Sequence, residues 1–422
     1  MFITKTRKLY SSYNYKLSLN NRYCSRSSSN ATSIKPLEGF KVLDLSRVLA
    51  GPWSSQLLGD LGADVIKVES IQGDDTREWG PPFYKDPKGN INTAYFSCTN
   101  RNKKSIAVDF SKPEGQKIIH ELSKECDVLL ENFKVGGLEK YNLDYKSISS
   151  INPRIIYCSI TGFGQNGPFA NLPGYDFAIQ AMGGLMSITG TESEPMKCGV
   201  AIVDMMTGMY SNVAIQAALH LRNQTNRGQH IDVSLLDVQA TFLANQASNY
   251  LVTGVNPKRI GNSHPSISPY DSLKSSDGFY VVAVGNDSQF HSLCNTLGVD
   301  RSISGDARFS SNAKRVANRQ ELLEHLNARS MMRTTKEWID LLGKANVPCS
   351  PINQLSEVYS HPQIQHRNMV WELDLSEQPT PTPTTLNKQK TTPQNKVYEL
   401  DKLKVVGCPI HFSESDGAFG IL

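Results

Sequence analysis

Lys41-Val-Leu-Asp-Leu-Ser46 and Ala63-Asp-Val-Ile-Lys-Val-Glu69 flank a stretch, Pro52 to Leu61, whose apolar residues recur at helical spacing. A short apolar run, a helix and a second short apolar run make a strand–helix–strand unit. That unit implies a parallel sheet with right-handed crossovers. Working outward, Ser105–Asp109 reads as another strand. Ser111-Lys-Pro-Glu114 reads as a capping box that opens an amphipathic helix through Ile118, Ile119 and Leu122. Asp127–Glu131 (DVLLE) and Ile155–Ile160 (IIYCSI) continue the series as buried strands. The first half is therefore expected to be an α/β, doubly wound, Rossmann-like large domain. A long helix from about Met205 to Arg222 leaves it, and Asn223–Gly228 reads as a polar joint. Gly278–Val284 (GFYVVAV) and the helical sequence after it, to about Leu342, suggest a smaller α+β domain. The expected division is an N-terminal extension over 1–33, a large domain over 34–224 and a small domain over 225–342. Residues 343–422 return to the large domain, interrupted by a solvated Thr/Pro/Gln/Lys insertion at 380–396.

Composition narrows the classes of function. Of the 422 residues 39% are apolar and 20% charged, which excludes wholesale disorder. The net charge is +4, and much of it comes from residues 1–37, which hold Lys5, Arg7, Lys8, Lys16, Arg22, Arg26 and Lys35 but no acid. The rest is near neutral, so neither nucleic acid nor a membrane surface is an expected partner. A basic, Ser-rich, acid-free start without a long apolar core reads as a mitochondrial presequence, and hence as a matrix protein; the bland alternative is a disordered basic tail. Gly199–Leu221 is the longest nearly apolar stretch, but Asp204, Asn212 and Gln216 interrupt it before it could span a bilayer. The eight cysteines are scattered singly, with no CxxC or Cys/His cluster. They read as reduced thiols, and no metal and no bound cofactor is expected.

Three features could carry chemistry. Gly162-Phe-Gly-Gln-Asn-Gly167 matches a dinucleotide fingerprint and follows a strand, but Pro168 and Pro173 occupy the place where the phosphate-binding helix should start. Asp204 lies in Gly199-Val-Ala-Ile-Val-Asp204-Met-Met-Thr-Gly208, apolar on both sides, near a helix start. It is either an N-cap or a carboxylate held dry enough to act as a nucleophile. Asp176, in Pro173-Gly-Tyr-Asp-Phe-Ala-Ile-Gln180, is likewise a cap or a second catalytic carboxylate. No Ser/His/Asp or Cys/His arrangement can be argued.

Taken together, a set of ordered segments resembles the class III (formyl-CoA transferase, CaiB-BaiF-like) CoA-transferases. They are Ser46–Pro52, Leu61–Glu69 with Gly73–Arg77, Asn100–Asp109, Glu131–Phe133, Thr161–Asp176, Gly199–Gly208 and Gly228–Asp237. The resemblance covers about 38 to 375. It implies the family's two-domain fold, with two chains interlocked as a homodimer, and transfer of coenzyme A between carboxylic acids. Asp204 stands where the family has its nucleophile. The implied course is an aspartyl anhydride and then an aspartyl-CoA thioester, with Asp176 and Tyr175 beside them. Coenzyme A is then a substrate and not a cofactor. The resemblance places it against Arg47, Val48 and Ala50, against Val108, and against Asn132, Phe133 and Lys140. The loop Gly261–Ser266, with Gly261 and His264, is the candidate oxyanion and substrate loop. The family also holds 2-methylacyl-CoA racemases, which have histidine where Tyr175 stands. This chain has no histidine between His120 and His220, so two-base proton transfer lacks a partner. A nucleotide-linked oxidoreductase and a non-catalytic CoA-binding paralogue complete the alternatives. Within the family the chain looks most like the mitochondrial transferases that take succinyl-CoA as donor and glutarate or hydroxymethylglutarate as acceptor. Such a dicarboxylic acid needs a cation for its distal carboxylate, for which Arg101 or Arg47 is the expectation. The family pattern also continues into a terminal helix that would cover the first domain, whereas this sequence stops at Leu422.

Overall fold

The computed structural model describes residues 35–376 and 396–415. The expected presequence, and the insertion as far as residue 395, lie outside the described residues. The chain opens with β1 (Lys41–Asp44), α1 (Ala50–Asp60) and β2 (Asp64–Glu69). The helix begins ahead of Pro52 because a proline in the first turn sacrifices no helical hydrogen bond. A hairpin of β3 (Phe83–Lys85) and β4 (Ile91–Thr93) leads through α2 (Ala94–Thr99) to β5 (Lys103–Ala107). Then follow α3 (Pro113–Glu125), β6 (Val128–Glu131), α4 (Tyr145–Ile151) and β7 (Ile156–Thr161). Two short helices, α5 (Asp176–Met182) and α6 (Leu185–Ile188), precede the long α7 (Ile202–Thr225), then β8 (Gln229–Ser234), α8 (Leu235–Phe242) and α9 (Ala244–Thr253).

Six of these strands form one parallel sheet in the order β5-β2-β1-β6-β7-β8. Neighbouring residues along a strand point to opposite faces, and here both faces are covered. Val42, Val65, Val128 and Ile156 pack against Leu58 of α1 and Val203 and Ile215 of α7. Leu43, Val68, Leu129 and Tyr157 pack against Ile119 of α3 and Ile148 of α4. The direction of winding reverses between β1 and β6, so a crevice opens at the carboxyl ends of these two strands.

The small domain holds an antiparallel sheet of β9 (Tyr270–Lys274), β10 (Phe279–Ala283) and β11 (Cys349–Pro351). Leu273, Tyr280, Val282, Phe290, Leu322 and Trp338 form its core. Beyond it, β12 (Val370–Asp374) pairs with β14 (Lys402–Val406), and β13 (Val397–Glu399) runs parallel to β3.

Three expectations need correction. Residues after 224 do not leave the large domain, because β8 is the sixth strand of its sheet. As an edge strand β8 alternates polar His230 and Asp232 with apolar Ile231 and Val233, so it lacks the continuous apolar run of its neighbours. The small domain also runs past 342, since β11 completes its sheet. Ser111 caps nothing: its hydroxyl and its amide both donate to Asp109, at 2.5 and 3.1 Å, and α3 starts at Pro113 without a side-chain cap.

Candidate active site

The loop between β1 and α1 lies at the point where the winding reverses. Asn132, just past β6, reaches across to it: the Arg47 amide donates to Asn132 Oδ1 at 2.9 Å, and Asn132 Nδ2 donates to the Arg47 carbonyl at 2.8 Å. Val48 sits at φ 70°, a conformation costly for a β-branched residue. A buried ion pair holds it there. Lys67 Nζ lies 2.9 Å from Asp74 Oδ2 and donates to the Ser46 carbonyl at 2.9 Å, while the Val48 amide donates to Asp74 at 3.3 Å. Burial pushes the Asp74 carboxyl up, but Lys67 and the Thr76 amide outweigh it and hold it at about 2. Beneath the loop, Lys103 is enclosed by Asp44, Asn100 and the Pro52 carbonyl at 2.9–3.1 Å; its burial lowers it to about 8 against the pull of Asp44.

Of the residues expected to meet coenzyme A, Arg47, Val48 and Ala50 lie on this loop and Asn132 is bonded to it. Phe133 packs edge-on against Phe110 at 5.8 Å, and Phe110 in turn meets Tyr141 at 5.4 Å. Lys140 lies over the Tyr141 ring at 4.7 Å, and Val108 belongs to the same apolar cluster. The sheet's carboxyl edge thus gathers all seven into one region. The dinucleotide-like Gly162–Gly167 follows β7 at the same carboxyl edge, but it lacks the helix that a dinucleotide fingerprint needs. No helix starts there among the described residues, and its glycine serves a close approach instead: a Cβ on Gly162 would lie 2.6 Å from the Gly174 Cα.

Asp204 occupies the third position of α7, inside the first turn, so it is not the N-cap. The capping residue by position, Ala201, has no side chain to offer. The cap comes from α5: Asp176 Oδ1 accepts from the Val203 amide at 2.8 Å and from the Asp204 amide at 3.4 Å. Its other oxygen accepts from Gln180 Nε2 at 2.6 Å, and Gln180 Oε1 accepts from the Cys198 amide at 2.8 Å. Burial, and then the Asp176 charge, push the Asp204 carboxyl up to about 7. Tyr95 on α2 lies in the same field: burial and the Asp204 charge raise its hydroxyl to about 12, and Trp79 packs on its ring at 5.3 Å. Gly208, one turn on from Asp204, brings α7 against the start of α1, where a Cβ would lie 2.6 Å from the Ala50 carbonyl oxygen. The Asp204 turn is thereby fixed against the Val48 loop.

Tyr175 precedes α5 and is 70% exposed. The Gly261 segment docks on the excursion between α6 and α7: the Gly261 amide donates to the Gly190 carbonyl at 3.1 Å, and Arg259 donates to the carbonyls of Thr191 and Glu192 at 2.9 and 3.0 Å. His264 faces the small domain, its ring 5.3 Å from that of Tyr270. Arg101 departs from expectation. It is 4% exposed, it grips both oxygens of Asp60 at 2.9 and 2.5 Å, and it donates to the Val406 carbonyl at 2.9 Å. Its guanidinium is occupied within the fold, and is not open to a substrate carboxylate. Gln180, Tyr95 and the Lys67–Asp74 pair escaped sequence reasoning, although a lone glutamine within Phe177-Ala-Ile-Gln-Ala-Met182 was a visible signal. Among the described residues no cluster of His, Cys, Asp and Glu is arranged to hold a metal ion, and no helix is long and apolar enough to cross a membrane.

Residues 37–400 match the model of CoA-transferase family III. The chain is 49% identical over 342 residues to a succinate–glutarate CoA-transferase of Agrobacterium fabrum, covering 80% of this chain and 85% of that protein. It is 46% identical over 351 residues to the human succinyl-CoA:glutarate CoA-transferase, covering 83% of this chain and 79% of that one. The crystal structure of a CAIB/BAIF family protein from Brucella suis superposes with a TM-score of 0.78 at 47% identity, over 91% of this chain and 94% of that one.

Proposed function

The chain belongs to CoA-transferase family III, and from that premise we propose that it moves coenzyme A from succinyl-CoA to glutarate or a similar dicarboxylic acid, with Asp204 as the acylated residue. One observation carries the assignment. Asp204 is a partly buried carboxylate raised to about 7, facing the like charge of Asp176 and fixed against the Val48 loop. A carboxylate so placed is destabilised in its free, charged form. Acylation removes the charge, and with it the repulsion from Asp176, so the covalent intermediates gain relative to the ground state.

The reaction balances in four steps. The Asp204 carboxylate attacks the thioester carbonyl of the donor, giving a mixed anhydride and the CoA thiolate. The thiolate attacks the Asp204 carbonyl, forming an aspartyl-CoA thioester and releasing succinate. Glutarate attacks that thioester, giving a second anhydride and freeing the thiolate again. The thiolate then attacks the glutaryl carbonyl, and Asp204 leaves as the carboxylate. Each intermediate remains activated provided water is kept out. The loop at Gly261 and His264 is assigned the developing oxyanions. Arg47, Val48, Ala50, Val108, Asn132, Phe133 and Lys140 are assigned to coenzyme A, with Arg47 and Lys140 on its phosphates. Of the two arginines considered for the distal carboxylate only Arg47 reaches solvent, where it pairs with Asp75.

A homodimer follows from the same reading. Leu251, Val252 and Val255, in and just beyond α9, are 68–85% exposed in the single chain, and Val213 on α7 is 62% exposed. The basic, acid-free N-terminus assigns the protein to mitochondria. To test the central reading, the protein is incubated with succinyl-CoA, trapped with hydroxylamine or borohydride, and the adduct mapped by mass spectrometry. A modified Asp204 is expected, together with loss of turnover in Asp204→Asn; an adduct elsewhere overturns the assignment. A panel of acceptor acids then fixes the second substrate.

A further inference from the structure

We propose that Gln180 is a positioning residue for the transfer reaction: it locks the Asp176 carboxylate in its capping pose and so sets the turn that carries Asp204. The inference rests on Asp204 as the acylated residue.

Gln180 is fully buried and both ends of its amide are used. Its oxygen accepts from the Cys198 amide, which leaves its NH2 as the end that must face Asp176. The amide therefore has one orientation, and it ties together two segments that meet at the nucleophile. One is α5, which carries Asp176. The other is the lead-in to α7, which carries Cys198 three residues before Ala201. Asp176 needs such a lock. With only its Oδ1 engaged, its carboxylate could rotate away from the Val203 and Asp204 amides. The α7 terminus, which has no cap of its own, would then fray. The titratable groups that face this pair are Asp204 on α7 and Tyr95 on α2. The Gln180 donor engages the second Asp176 oxygen, and so holds the carboxylate in place beside the Asp204 turn.

The test compares wild type, Gln180→Leu, Gln180→Glu and the double variant D176N/Q180E in the full chain. The readouts are kcat and KM with succinyl-CoA and glutarate across pH, and the rate at which the Asp204 adduct forms. Gln180→Leu should lower kcat and the adduct rate by about 10- to 100-fold, the scale of a small misplacement of reacting groups, with little change in KM. Gln180→Glu should be equally impaired, because two facing carboxylates must share a proton. The reciprocal double variant keeps every hydrogen bond: the asparagine at 176 accepts from the Val203 amide and donates to the glutamate, which still receives the Cys198 amide. It should recover most of kcat, with an acid limb at lower pH, since the charge now sits farther from Asp204. Wild-type kcat in Gln180→Leu overturns the proposal. If Gln180→Leu does not fold, a double variant no faster than Gln180→Glu overturns it. An adduct on a residue other than Asp204 in the wild type instead overturns the catalytic assignment, so the two failures are distinguishable.

Discussion

Asp176 Oδ1 stands 3.4 Å from the Asp204 amide nitrogen, so the second acid of the site caps the helix on which the first one sits. The pair thus does two things at once. The Asp176 hydrogen bonds fix the backbone of the Asp204 turn, and the Asp176 charge opposes ionisation of the Asp204 side chain.

The activity should report that opposition. In the proposed mechanism Asp204 attacks as a carboxylate, and its carboxyl is raised to about 7, so kcat/KM should rise with pH and level off above about 7. Asp176→Asn keeps an oxygen for the helix amides but removes the like charge, which lowers the Asp204 pKa. The acid limb of the pH–rate profile should move to lower pH in that variant. An unmoved limb would show that Asp176 does not set the ionisation.

Stability should carry the same signature with the opposite value for the cell. The folded-state pKa of Asp204 lies above the ordinary 3.8 of the unfolded chain. Folding therefore binds a proton between these values: the cost is absent below the lower one and complete above the higher one. Asp204→Asn removes it, and should stabilise the protein at pH 8 by about 2 kcal/mol once partial solvent access is allowed for. The difference in Tm from wild type, measured by calorimetry, should shrink towards zero at pH 4. A variant less stable than wild type at pH 8 would contradict this account of the site.

Much of this arrangement was legible in the sequence, for identifiable reasons. KVLDLS and ADVIKVE are apolar because both faces of their sheet are covered, and such runs reveal strands readily. Strand β8 was missed because an edge strand half open to solvent alternates like a surface loop. Asp204 stood out as an acid among apolar residues, but its cap did not, because a cap from 28 residues away leaves no local pattern. The same blindness misplaced Arg101. Asn100-Arg-Asn-Lys-Lys104 looks like a solvated basic turn, and only the fold shows Asp60 beneath it.

Arg101 offers a direct check. Burial outweighs the guanidinium and still raises the Asp60 carboxyl, so this acid depends on its partner. Arg101→Met strands Asp60 and should cost roughly 3–5 kcal/mol, the usual penalty for an orphaned buried charge. Adding Asp60→Asn should return part of that loss, read as the midpoint of urea unfolding. Molecules that remain folded should show an unchanged KM for glutarate. A raised KM with an unchanged unfolding midpoint would give Arg101 back to the substrate.

Gly208 tests whether the helix that carries Asp204 must touch the Val48 loop. In an exposed helix, Gly→Ala would stabilise by about 1 kcal/mol, because glycine loses more backbone entropy on folding. Here the added Cβ would lie 2.6 Å from the Ala50 carbonyl oxygen and 3.1 Å from Trp53 Cδ1. The tryptophan edge can shift, but the carbonyl belongs to the backbone of α1 and cannot give way alone. Overpacking of this kind costs about 1–3 kcal/mol and exceeds the entropic gain, so Gly208→Ala should be destabilised. The helices should also separate, carrying the Asp204 turn away from the loop proposed to hold the thioester. Turnover should therefore fall more steeply than stability, and KM for succinyl-CoA should rise with it. A stabilised Gly208→Ala with full turnover would mean that the contact between α1 and α7 does not govern the site.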